Sequence, residues 1–247
     1  MKKRQERIKL KKRVILFALI ALICMPKEIF AKAANSSTDF RIISQSEKYY
    51  KTYGLTNTTE ITKNEYDEAE INAKNQRGNG ASETTYKKLT TSILSNGSRY
   101  RYKTVLTWKN FPSVRSYDVI GIGHYSNVKY YSNLYFSQTY CPVNGTCRTL
   151  TTYYPKTTST GSAAAFKIPT GDLSSLSQTL YFDVEKNVNA TINSQAAYGD
   201  YSHATETVSI SQAQNYSIGT SGIVFSGGVG NYYDNIAPAM ATWNGTW

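Results

Sequence analysis

The chain has little of what metal and acid–base chemistry require. Among its 247 residues only His124 and His203 are histidine, and only Cys24, Cys141 and Cys147 are cysteine. No His-Glu-x-x-His run and no Cys/His cluster occurs, so zinc sites of the usual spacing are excluded. No metal and no other cofactor is expected. No Gly-x-Ser-x-Gly elbow occurs either. Asp118 and His124 are near enough in sequence to meet, and serine is abundant, but a triad is recognised by geometry and not by residue supply. No catalytic residue is assigned on these grounds. Long apolar runs are also lacking. The longest, Val14 to Met25, has 12 residues, whereas a membrane-spanning helix needs about 20.

That run sits in a recognisable setting. Lys2, Lys3, Arg4, Arg7, Lys9, Lys11, Lys12 and Arg13 precede it, against the single acid Glu6. Pro26 stops it, and Ala31-Lys32-Ala33 follows. Charged region, apolar region and small-residue site in that order predict a secretory signal over 1–33, cleaved before Ala34. An uncleaved anchor would need a longer span. Lipidation at Cys24 is disfavoured by Ile23, which stands where a small residue is required. The long basic start resembles bacterial leaders, and the expected location is extracellular, with free release or cell-wall association. The leader also carries most of the charge. Of the formal +11, residues 1–33 hold +8, which leaves +3 for the rest. No concentrated basic face remains, so nucleic acid is not an expected partner.

What the remaining chain does have is tyrosine, 21 in all, with much Thr, Ser and Asn. Tyr and Thr suit strands, and Ser, Asn and Gly suit turns. Over 34–80 a partly helical segment is expected. Thr62-Lys63-Asn64-Glu65 has capping-box spacing, the acids Glu65, Asp67, Glu68 and Glu70 come early, and Gly78-Asn79-Gly80 ends the helix. Over 81–247 the period is two. Thr84 to Leu94 and Ser98 to Trp108 flank Asn96-Gly97, a hairpin signal. Tyr117 to Ile122 is expected as a buried strand. Asn127 to Tyr140 pairs with Arg148 to Tyr154, Thr157 to Ala165 is a loop, Phe166 to Pro169 a short strand, and Thr179 to Glu185 another strand. Asn187 to Ala213 is a hairpin turning at Gly199-Asp200, and Gly222 to Phe225 is the last strand. The fold class is mainly β: an antiparallel β-sandwich or barrel with a short helical N-terminal segment.

Three features bear on function. Cys141 and Cys147 enclose a turn-forming loop and are expected to form a disulfide in an exported protein. Adjacent tyrosines recur at Tyr49-Tyr50, Tyr130-Tyr131, Tyr153-Tyr154 and Tyr232-Tyr233. In a strand one member of each pair faces away from the core, and exposed rings suit contact with sugars, proteins or lipid headgroups. Tyr130, Tyr131, Tyr153, Tyr154, Tyr232 and Tyr233 are the candidate binding surface. Arg99, Arg101 and Lys103 share one strand face and are expected to be solvated. The expected role is non-enzymatic binding of an extracellular or cell-surface ligand: a glycan, a protein or a membrane surface. One alternative is a β-pore-forming toxin, because 187–213 alternates small apolar and polar residues as membrane hairpins do, with the nearly uncharged 149–165 as a second candidate. A hydrolase with an unrecognised site is the other.

Overall fold

Two antiparallel sheets face each other, and a short hairpin covers the outside of the smaller one. The computed structural model describes residues 39–75 and 84–247, and Phe40–Trp247 forms one compact unit. The leader with Ala31, Ala33 and Ala34, Cys24, and the Gly78-Asn79-Gly80 turn lie outside the described residues.

Along the chain the strands are β1 (Arg41–Tyr53), β2 (Asn57–Ile61), β3 (Thr84–Ser95), β4 (Tyr100–Asn110), β5 (Tyr117–His124), β6 (Val128–Pro142), β7 (Arg148–Leu150), β8 (Tyr154–Thr158) and β9 (Gly161–Lys167). They continue with β10 (Leu173–Lys186), β11 (Gln195–Ala204), β12 (Tyr216–Gly219), β13 (Gly222–Phe225), β14 (Tyr233–Asn235) and β15 (Ala239–Trp243). Two α-helices are described, α1 (Lys63–Asn75) and α2 (Ile210–Ala213). The larger sheet runs β2-β1-β3-β4-β10-β6-β7 and the smaller β14-β11-β5-β9-β8, with β15 also paired to β11. Neither closes into a barrel, so the sandwich alternative is the correct one.

Local chemistry explains the elements. At the β3–β4 turn Gly97 takes φ +91°, and Asn96 Oδ1 accepts from the amides of Ser98 and Arg99 at 3.1 and 2.9 Å. This is the side-chain-stabilised turn that Asn-Gly favours. On β4 the inward residues Tyr100, Tyr102, Leu106 and Trp108 are buried, as period two requires. They meet Ile120 and Ile122 of β5 and Ala197 and Tyr201 of β11 in the main core. The Tyr102 hydroxyl is satisfied by Gln195 Oε1 at 2.8 Å. At the start of α1, Thr62 Oγ1 accepts from the Glu65 amide and Glu65 Oε2 accepts from the Thr62 amide, at 3.2 and 2.7 Å, the reciprocal pair of a capping box.

β5 is covered on both faces. Val119 belongs to a second core beneath β12, β13 and α2, with Ala163, Ala165, Ile218, Ile223 and Tyr233. Glycine permits this close approach. A Cβ on Gly123 would stand 1.8 Å from the carbonyl oxygen of Gly219.

Several expected elements differ. Residues 157–165 are not a loop but most of the β8–β9 hairpin, and Phe166 lies near the end of β9. Gly199 and Asp200 do not turn the chain; they are central in β11. The 187–213 hairpin does not exist. Its residues form a loop, one strand and the short helix α2, and the strands before and after the loop, β10 and β11, belong to different sheets. Gly222–Phe225 is followed by β14 and β15, which together occupy one edge of β11.

Candidate functional site

Tyr49 and Tyr50 are both buried, so that pair does not divide; the other three pairs do, but their less buried members do not form one surface. Tyr130 packs on the core against Phe182, while Tyr131 is exposed. Tyr153 lies on Phe136 and donates to the Leu134 carbonyl at 3.1 Å, while Tyr154 is exposed on β8. Tyr233 is buried, stacks on Phe225 and donates to the Tyr117 carbonyl at 3.0 Å, with Tyr232 partly buried. Tyr131 and Tyr154 are on different sheets.

Tyr131 instead joins residues on the outer face of the larger sheet. Register places Lys103 opposite Tyr181, Arg101 opposite Asp183, and Tyr181 opposite Tyr135 across β4, β10 and β6. The Asp183 carboxylate is almost wholly covered. It accepts from Arg101 Nε and from Asn133 Nδ2, both at 2.6 Å. Asn133 reaches it from a bulge in β6, where its φ is +59°, a conformation Asn tolerates. Held by this ion pair, the Arg101 guanidinium lies 4.1 Å from the Phe40 ring centre and 4.4 Å from that of Tyr181. Tyr135 stacks on Tyr181 at 4.8 Å with 22° between planes. Arg99 lies over Tyr131 at 5.2 Å. The result is a row of flat side chains, Phe40, Arg101, Tyr181 and Tyr135, with Arg99 and Tyr131 beside it. Sequence reasoning grouped Arg99, Arg101 and Lys103 but missed Phe40, Tyr135 and Tyr181. The usable signal was alternation: Tyr131, Asn133 and Tyr135 on one strand and Tyr181 and Asp183 on another, all off the apolar face.

A second feature lies at a sandwich end. A shallow depression of about 490 Å³ is lined by Tyr125, Ser126, Thr160 and the β12–β13 turn from Ser217 to Gly222, with His124 at its base. The Tyr125 and Tyr198 rings meet edge to face beside it, with their hydroxyls 2.7 Å apart. Burial pushes the Tyr198 phenol up to about 12.

The candidate acid–base residues are otherwise arranged than the sequence suggested. Asp118 and His124 occupy opposite ends of β5, and six residues of strand span about 20 Å. Asp118 pairs with His203, whose Nδ1 is 3.0 Å from Asp118 Oδ2. The same carboxylate accepts from the Ala204 amide at 2.9 Å and from the Tyr201 hydroxyl. All four residues are buried, and Trp108 packs edge-on against His203 and Tyr201. His203 faces the sheet interface while the neighbouring Ser202 points to the opposite side, and no hydroxyl among the described residues hydrogen-bonds to His203 Nε2. Burial lowers the basicity of His124 and outweighs the opposing effect of the Tyr125 carbonyl, 2.9 Å from its Nδ1. Of the helix acids, Glu65 caps α1 and Asp67 pairs with Lys63 and Lys109. Among the described residues no three His, Cys, Asp or Glu side chains could hold a metal ion. Cys141 and Cys147 form the disulfide, closing an exposed loop between β6 and β7.

No protein-family model matches the chain, and no curated protein matches it in sequence.

Proposed function

We propose that the chain is a secreted bacterial protein that binds an extracellular or cell-surface ligand without enzymatic turnover. Its contact surface is the outer face of β4, β10 and β6, and the ligand is a glycan bearing acidic groups. One observation carries this reading: the exposed Tyr135 ring is stacked on Tyr181, which in turn abuts an arginine anchored to the covered Asp183. Such a row is rigid before a ligand arrives, so little side-chain entropy is lost on contact. Flat rings complement the apolar faces of sugar rings. Arg99 and Lys103 bring positive charge to the same face, which favours acidic substituents and makes binding weaken as salt rises.

The test is retention on isolated cell-wall glycans and titration calorimetry with their soluble fragments. Tyr135→Ala and Arg99→Ala are each expected to weaken binding about tenfold, roughly 1.4 kcal/mol. Unchanged binding in the double variant, with loss in Tyr125→Ala, would move the site to the depression at the sandwich end and overturn this assignment.

A further inference from the structure

Lys87 is the least ordinary residue in the protein. It lies on the inward face of β3 and is fully buried between the sheets. Its Nζ is 3.0 Å from Asp234 Oδ2, and the two side chains are 0% and 4% exposed. The other lysine–carboxylate pairs among the described residues are partly or largely solvated. Asp234 belongs to β14 of the opposite sheet, so the pair bridges the two halves of the sandwich. Thr58 Oγ1 donates to the same Asp234 oxygen at 2.5 Å. The Trp108 ring lies 5.1 Å from Nζ, and the Asp118–His203–Tyr201 group adjoins that ring.

We propose that Lys87 and Asp234 condense into an intramolecular amide that covalently joins the two sheets. The pair contains every atom and proton the reaction needs. Proton transfer from the ammonium to the carboxylate gives amine and carboxylic acid. The amine nitrogen attacks Cγ of Asp234, and a tetrahedral centre forms. The C–O bond to the hydroxyl breaks, and that hydroxyl leaves with a nitrogen proton as water. No oxidant, nucleotide or cofactor takes part. The surroundings favour each stage. Burial lowers the basicity of Lys87 and so promotes the amine form. Thr58 is placed to donate to the oxyanion at the tetrahedral centre. Nζ and the carboxylate are held at contact distance by separate strands, so the encounter needs no further ordering. The product replaces a buried ion pair, which is costly to desolvate, with a neutral amide. Asp118 keeps its donors Tyr201, His203 and the Ala204 amide throughout.

Intact-mass spectrometry of the purified full-length chain tests this directly. The expected mass is lower by one water than the sequence with its disulfide formed, and the loss persists after reduction and denaturation. Proteolysis should yield one branched peptide joining the segments around Lys87 and Asp234. That peptide also separates the amide from a succinimide at Asp234-Asn235, which loses the same water but leaves Lys87 unlinked. Lys87→Arg should retain the full mass, because a guanidinium does not condense. Asp234→Asn should react with loss of ammonia in place of water. Full mass in the wild-type chain, with unmodified Lys87 and Asp234 in separate peptides, would overturn the proposal and leave a non-covalent buried ion pair.

Discussion

Asp200 makes the stability of this protein depend on pH in the direction opposite to that of most carboxylates. It lies on the outer side of β11 beneath the β12–β13 hairpin, and its register partner on β5 is Gly121. Oδ2 accepts from the Ile223 amide at 2.5 Å, and Oδ1 accepts from the Tyr201 amide at 2.7 Å. Both bonds favour the charged form. Desolvation outweighs them and pushes the carboxyl from the ordinary 3.8 up to about 7. The native state therefore holds a proton that the unfolded chain has already released between those two values. Stability from this group is full below about pH 4 and is lost as pH rises through about 7. At about 1.4 kcal/mol per tenfold change in proton affinity, the swing is on the order of 4 kcal/mol. Asp200→Asn cannot ionise. Urea unfolding of wild type and variant from pH 4 to pH 8 isolates the effect, since other titrating groups cancel in the difference. His124 is one of these: its lowered basicity costs stability as pH falls below 6.5. The variant should match wild type near pH 4 and exceed it by several kcal/mol near pH 8. A flat difference, or a wild type that gains on the variant as pH rises, would show that the two amides hold the carboxylate ionised and would refute the argument.

Two further substitutions probe the architecture. Gly123→Ala places a methyl 1.8 Å from the Gly219 carbonyl oxygen; it should lift the hairpin from β5 and cost about 3 kcal/mol in denaturant unfolding. Replacing Cys141 and Cys147 by serine opens a loop with a sequence separation of 6, so the loss should be about 2 kcal/mol, read as a lower denaturation midpoint.

Strands whose pattern is local were legible in the sequence. Asn96-Gly97 marked its hairpin because the turn is stabilised by its own side chain, and Thr62 with Glu65 marked its helix for the same reason. The Cys141–Cys147 pairing followed from a short loop. Where tertiary packing decides, local signals misled. Ala163, Ala164 and Ala165 looked like loop because they are small, yet they are fully buried in β9. Gly199 looked like a turn, but it is there because the sheets approach closely: a Cβ would stand 2.0 Å from Thr91 Oγ1. Asp118 was matched to the nearer histidine in sequence, whereas β5 and the β11 register select His203. Alternation marks which residues of each strand face outward, but the assembly of the outer-face stack was not legible, for a related reason. Phe40, Arg101, Asp183 and Tyr135 come from four separate stretches, and strand order alone brings them together.

The edge of β11 is completed by two separate pieces of chain, β15 against Gln195–Gly199 and β14 against Ser202–Ala204. Further ties reach back to the first strand, where the Ser44 hydroxyl donates to the Thr242 carbonyl and the Tyr50 hydroxyl to that of Ala237. Assembly is thus dominated by pairings remote along the chain, the regime of slow, all-or-none folding. A polypeptide cut short before residue 233 would leave the backbone donors and acceptors of β11 open, an unprotected template for pairing between molecules.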